Sequence, residues 1–344
     1  MTGHHPRHQR PQARPAREDS IPVKAKISGY VAAAPDWPDA ELMAFYAALS
    51  RLEASSGLEL PAAHLEVMTR EPAAAAALPG HWTYDVTCLP AAMAGLRAQS
   101  SYGLASTAAD GRAAALADAE RARTAVHRLS DLLGRPAVRS VVLVSAPQRD
   151  PRAPGGPARA ALAGSLTELA ARDWGGAVLA LEHCDAARAG QIPAKGFLSL
   201  EDELGALAEV PGTPVRSVIN WGRSVIEQRT ADAAVRQVTL ARDRGLLLGV
   251  GMSGCSGVQN AWGEPWADVH LPPAGLQVAG GPGHQSLMTP ERMTDFLRAA
   301  GPEAGVVVKV SVRPREQLGV PERVDFLAAV LDSVQRSWEA ARPA

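Results

Sequence analysis

Eight short β-rich runs alternate with longer helical stretches from Lys24 to the C-terminus, and this rhythm leaves the chain few architectures. The runs are 26–32, 57–60, 82–89, 139–146, 177–184, 215–221, 246–253 and 306–312. Several are apolar almost throughout, such as Ser140-Val-Val-Leu-Val144 and Val306-Val-Val-Lys-Val310, as strands covered on both faces must be. Eight strands with helices between them suffice to close a barrel, whereas an open doubly wound sheet carries fewer strands and a glycine-rich turn after the first. Here the first run leads into Tyr30-Val-Ala-Ala-Ala-Pro35, so a nicotinamide-binding domain is not expected, and no phosphate-binding loop of the GxxxxGK type is present. The expected fold is one α/β domain, a (β/α)8 TIM barrel over residues 24–344.

Residues 1–23 fall outside that pattern. They hold arginines, prolines and His4, His5 and His8 but no large apolar side chain between Met1 and Ile21, so they are expected to form a disordered basic tail. Helix ends are marked more sharply. Thr289-Pro290-Glu291 combines a capping hydroxyl, a proline at the first helical position and a carboxylate at the positive end of the dipole. Ser199, three residues before Asp202, opens a helix in the manner of a capping box. Val324, Phe326, Leu327, Val330, Leu331, Val334 and Trp338 form a helical stripe expected to face the core. Residues 147–157 and 272–283 are rich in Pro and Gly and follow strands, which suits loops on the rim of a barrel.

The formal net charge is −1 and no basic block lies beyond the tail, so a nucleic-acid partner has little electrostatic support. Apolar runs such as 246–250 are far shorter than the roughly 20 residues of a membrane span. No export signal is readable, and the expected compartment is the cytoplasm. Three cysteines, Cys88, Cys184 and Cys255, stand far apart without a CxxC pair, against both a disulfide framework and a structural zinc site. The partner expected is a small-molecule substrate, with no membrane and no nucleic acid, while association as a homo-oligomer is left open.

In a parallel barrel only the last inward residues of each strand reach the functional face, so polar side chains late in apolar strands are informative. Glu182 interrupts Ala177-Val-Leu-Ala-Leu181 and shares a face with Ala180 and Cys184. It is a candidate acid or base, or one half of a structural salt bridge. Lys309 and Ser311 share one face of the last strand, with Val308 and Val310 on the other, and Lys309 could pair with Glu182, bind an anion or act as a base. Glu59, between leucines in the second strand, is a second candidate catalytic carboxylate. Asn220, Trp221 and Arg223 close the sixth strand, suited to a hydroxyl, an apolar wall and an anion in turn. With Lys195 and His270 they are the candidate substrate-binding residues. His183 follows Glu182 directly and points the other way.

The segments Leu179-Ala-Leu-Glu-His-Cys-Asp185, Lys195-Gly-Phe-Leu-Ser-Leu-Glu-Asp-Glu203, Ile219-Asn-Trp-Gly-Arg-Ser224 and Trp266-Ala-Asp-Val-His-Leu-Pro-Pro273 together resemble the domain-of-unknown-function family 4862, over nearly the whole chain after Lys24. More distantly the chain is similar to the xylose isomerase-like TIM barrels, which include sugar isomerases and epimerases. That resemblance implies a divalent metal held by a late strand glutamate, here Glu182, together with an Asp, a His and a second Glu. At those places stand Asn220, His270 and Lys309, so two anionic ligands are lost and a cation gained. The implied metal ligands reduce to Glu182 and His270. The expected function is proton transfer on a sugar-type substrate, as in an isomerase or epimerase of carbohydrate metabolism. The alternatives are a glycoside hydrolase or lyase with paired Glu59 and Glu182, and a barrel that binds a small metabolite without converting it.

Overall fold

The valine-rich runs pair side by side in chain order, each hydrogen-bonded to the next and the last to the first, in a closed parallel barrel. The computed structural model describes residues 24–212, 214–276, 285–313 and 318–342. The strands are β1 (Ala25–Ile27), β2 (Ser55–Pro61), β3 (Thr83–Thr87), β4 (Val138–Leu143), β5 (Val178–His183), β6 (Arg216–Asn220), β7 (Leu247–Met252) and β8 (Gly305–Val308). Each of the eight expected runs overlaps one of them. The tail 1–23 lies outside the described residues, as do 277–283 of the second expected rim loop.

Two strands are shorter than their apolar runs suggest. β1 stops at Ile27 and the chain turns into the short helix Gly29–Ala32, with Ala33 N–H donating to the Gly29 carbonyl at 3.0 Å. The run of small residues fits a helical turn, and the missing side chain of Gly29 lets the Tyr46 ring lie where a Cβ would come within 2.8 Å of it. At the other end of the chain Lys309 N–H still bonds across to the Met252 carbonyl at 2.9 Å, but Ser311 N–H turns to the carbonyl of His270 at 2.8 Å and leaves the ladder.

The helix signals hold. Ser199 accepts from the Asp202 N–H at the start of Leu200–Glu209, and Thr289 accepts from the Arg292 N–H at the start of Pro290–Ala300. In the last helix, Val320–Ala341, Leu327, Val330, Leu331, Val334 and Trp338 are buried. The cysteines are free thiols pushed up to about 12 by burial, which makes them small packing groups rather than nucleophiles.

Alternation along the strands separates two environments. Outward residues such as Leu58, Leu60, Val86, Val141, Leu181, Ile219 and Val308 pack against the helices and form the hydrophobic core. The inward set mixes polar and small residues with valines: Lys26, Glu59, Asp85, Ser140, Glu182, Gly249, Gly251 and Lys309, together with Val142, Val218 and Val307, surround one interior cavity. This barrel therefore takes its apolar cohesion from the layer between strands and helices, not from the packed lumen usual for the fold.

One polar group crosses into the helix layer. His183 faces outward, its Nδ1 at 2.7 Å from Glu203 and its Nε2 at 2.8 Å from Glu227, with Ser145 donating to Glu203 and the Ala186 N–H to Glu227. Burial works against a charged imidazole here, but the carboxylates of Glu203 and Glu227 outweigh it and raise His183 to about 10. The network ties β5 to the helices Leu200–Glu209 and Trp221–Gln228. Because the folded chain binds this proton more tightly than the unfolded one, the stabilisation is complete below the ordinary histidine value of 6.5 and is lost as pH rises through about 10. Denaturation midpoints measured across that window should fall with pH in the native protein and change less in His183→Gln.

Candidate active site

Seven of the eight candidate residues meet in one chain of ionic and hydrogen-bonded contacts. Lys309, directly after β8, places its Nζ 2.7 Å from Glu59 Oε1 of β2 and 3.4 Å from Glu182 Oε2 of β5. Glu182 Oε1 also lies 2.7 Å from Arg223 Nη1 and accepts from Asn220 Nδ2 at 3.2 Å. Arg223 Nε donates to Asp268 Oδ2 at 3.1 Å, and Lys195 Nζ sits 3.1 Å from the same oxygen. His270 closes the chain, its Nδ1 at 3.4 Å from Asp268 Oδ1 and 2.8 Å from Ser253 Oγ. Trp221, expected to form an apolar wall, is instead buried in the hydrophobic core, and the contacts do not include it. A tryptophan opening a helix against β6 gains more from that apolar layer than from a wall of ions.

The backbone explains how these groups converge. Asn220 caps the helix Trp221–Gln228 by accepting from the Arg223 N–H, so the residue that ends β6 also aims the first helical turn. Gly222 allows the close approach, since a Cβ there would stand 2.5 Å from the Ser253 carbonyl oxygen. His270 has a φ of 56°, a left-handed conformation uncommon for a residue with a side chain, and its own carbonyl is engaged by Ser311. Asp268 was not singled out in the sequence because it lies in a loop with no periodicity. Its place two residues before His270 is the one available signal. Tyr30 was likewise missed; Lys309 Nζ stands 5.9 Å from the centre of its ring, and burial pushes its hydroxyl up to about 12.

The two carboxylates on Lys309 differ. Burial opposes ionisation of Glu182, yet Arg223 and Lys309 overcome it and hold the carboxyl at about 2. Glu59 is raised by burial, against the attraction of Lys309 and with the charge of Glu182 adding to the rise. Lys309 itself stays protonated: burial disfavours its charge, but Glu182 and Glu59 more than compensate. His270 is depressed to about 4 by burial, Asp268 pulling the other way while Arg223, Lys309 and Lys195 add to the fall, so it is neutral at physiological pH. Arg223 is fully buried, and neither Nη1 nor Nη2 has an aligned hydrogen-bond acceptor among the described residues.

A family model described as a domain of unknown function, DUF4862, matches residues 27–326. The chain belongs to this family. The uncharacterized protein STM3670 of Salmonella typhimurium is 32% identical over 231 residues, 65% of this chain and 68% of that protein. Among solved structures, the apo form of 3-keto-D-glucoside 4-epimerase YcjR from E. coli matches at TM-score 0.56 and 16% identity, covering 89% of this chain and 99% of that one. D-psicose 3-epimerase from Clostridium cellulolyticum H10, solved with D-tagatose, matches at 0.56 and 13%, covering 91% and 98%. The IOLI protein, solved with a binding zinc atom, matches at 0.61 and 12%, covering 92% and 99%. At these identities the likeness to solved structures is one of fold, the xylose isomerase-like TIM barrel.

The DUF4862 residues do not fit the divalent ion that this fold implies. The Glu182 carboxylate faces an ammonium, a guanidinium and an amide N–H donor, and His270 is turned to Ser253 and Asp268. Among the described residues no group of three or more His, Cys, Asp or Glu side chains could hold a metal. Cations of the protein itself stand beside Glu182.

Removing one member of so buried a group should be costly. Lys309→Met leaves Glu59 without its principal partner, and chemical denaturation should show a loss of about 3–5 kcal/mol, with Glu59→Gln added in the same chain recovering part of it. The His270 imidazole, followed by NMR, should titrate near pH 4 and not near 6.5.

Proposed function

We propose that this DUF4862 protein is an isomerase or epimerase that moves a proton beside the carbonyl of a small, uncharged sugar. The observation that carries the reading is the asymmetric pair of carboxylates on Lys309, with Glu59 raised and Glu182 held ionised. A proton carrier works best when its pKa approaches the working pH, and two carboxylates pushed apart by their surroundings divide such work. Its epimerase neighbours, two of them acting on keto sugars by name, lend support at the level of fold.

In this mechanism Glu59 takes the proton from the carbon next to the carbonyl, and the electron pair of that bond moves into an enediolate. Lys309 and the Arg223 Nη2 group, which has no acceptor among the described residues, face the growing negative charge on oxygen. Glu182 stays ionised and fixes both cations in place. His270, neutral, accepts or donates a hydrogen bond to a substrate hydroxyl, and Lys195 and Asp268 complete the wall. In an isomerase Glu59 then gives its proton to the neighbouring carbon while the hydroxyl proton of the enediolate passes to the former carbonyl oxygen, with His270 as relay. In an epimerase Glu59 keeps its proton and a water on the opposite face protonates the carbon, the hydroxide left behind being neutralised as Glu59 releases its proton to solvent.

Charge argues for the class of substrate. Glu59, Glu182 and Asp268 balance Lys309, Arg223 and Lys195, so within this group of described residues no cation is left to compensate a phosphate or carboxylate, whereas a hydroxyl or carbonyl oxygen suits Arg223 Nη2. The paired-carboxylate glycosidase gains less support, because Glu59 and Glu182 share one ammonium between them.

Incubation with ketohexoses and keto-glycosides in D2O tests the reading. The native protein should place deuterium beside the carbonyl of at least one of them, seen by NMR, and Glu59→Gln should slow this by about 10²–10⁴-fold. A sugar that raises the melting temperature but never gains deuterium or changes configuration would instead mark a binding barrel, and tighter binding of the sugar phosphates would count against an uncharged substrate.

A further inference from the structure

The cavity inside the barrel lies beneath the candidate active site, toward the N-terminal ends of the strands, and measures about 370 Å³. It exists because several inward positions carry almost nothing: Gly249 and Gly251 of β7 and Ser140 of β4 occupy places that bulky branched side chains usually fill. At its outer rim stand Lys24, Arg139 and Glu303. At its inner end stand Glu59 and Lys309, so one continuous space joins the end of the barrel remote from the strand C-termini to the candidate proton carrier.

Half-way along, Lys26 Nζ bonds Asp85 Oδ1 at 2.7 Å and Ser140 Oγ donates to the same oxygen at 2.7 Å. Lys26 and Asp85 keep 17% and 11% of their side-chain surface exposed although both sit inside the barrel. Asp85 is the direct register partner of Glu59 on the adjoining strand. Valines also line the chamber, but a polar strip runs along it from Lys24 through Lys26, Asp85 and Ser140 to Glu59 and can hold a file of water, and the volume has room for on the order of ten molecules.

We infer that this chamber is a water-filled proton route by which Glu59 exchanges its proton with bulk solvent from the N-terminal end of the barrel. A proton entering at the rim passes from water to water, each molecule gaining one proton on oxygen as it gives up another, past Asp85 and on to a Glu59 oxygen; the reverse sequence empties the carboxyl. The charged groups facing Glu59 are Lys309, Glu182 and Asp85, with the Tyr30 hydroxyl and Ser28 completing its surroundings. The route does not pass through the mouth, so a substrate seated there does not block it. Its relevance to catalysis rests on the reading of Glu59 as proton carrier, but its existence does not.

The test therefore uses no substrate. Infrared difference spectra of the full chain, with Glu59→Gln to assign the band, follow the protonated Glu59 carboxyl as the protein is mixed into D2O at a pH where it is protonated. Two variants narrow the chamber at different places, Ser140→Leu at the waist and Val307→Phe on the facing wall, so that one serves if the other fails to fold. The band should shift rapidly in the native protein and at least tenfold more slowly in either variant. Equal rates in native and narrowed proteins, slow exchange already in the native one, or a crystal structure with a dry chamber would each overturn the proposal. Loss of the route with Glu59→Gln still fully active would instead remove the proposed role of Glu59 and leave the chamber in place.

Discussion

The ammonium group of Lys309 binds carboxylates from two strands that are not its neighbours. It reaches from the end of β8 to Glu59 on β2 and Glu182 on β5, so three separate parts of the barrel meet on one charge. The ionic chain at the candidate site follows from accommodating it. A lysine this buried stays charged only with anions in contact, each anion needs further donors, and Arg223, Asn220 and Ser28 supply them. Arg223 in turn demands Asp268, which draws in Lys195 and His270. The result is a barrel with an ionic interior, held together by the apolar layer outside it.

That arrangement gives the family a place within its fold. The present chain shares the scaffold of barrels named for sugar chemistry, and around its own Glu182 it sets fixed organic cations. A cation on a side chain differs from a bound metal in being unable to leave and in offering directed N–H bonds, not open coordination positions. The electrostatic work asked of either is the same: to meet negative charge as it forms on oxygen.

The barrel was legible in the sequence because fully covered strands are forced to be apolar, and any charge within them stands out. Glu182, Glu59 and Lys309 were found for that reason, and their inward direction followed from simple alternation. Asn220 and Arg223 were found as the end of a strand, but Trp221 between them was misjudged, because helical rotation after Asn220 sends neighbouring side chains to different surroundings. Asp268 and Tyr30 come from segments whose position is set by tertiary contacts alone. The chamber was invisible for another reason. It is made by side chains that are missing, and Gly249 and Gly251 become meaningful only once they face Ser140 and Lys26 across the same space.

Glu182 and His183 are adjacent in sequence and face opposite sides of β5, the carboxylate among Lys309 and Arg223, the imidazolium between Glu203 and Glu227. A slip of the strand by one residue would exchange them. It would set Glu182 against two carboxylates and His183 against two cations, repulsive on both faces at once. The strand thus carries an electrostatic proofreading step for its own alignment, in which the ions that shape the site also reject the wrong pairing of the sheet.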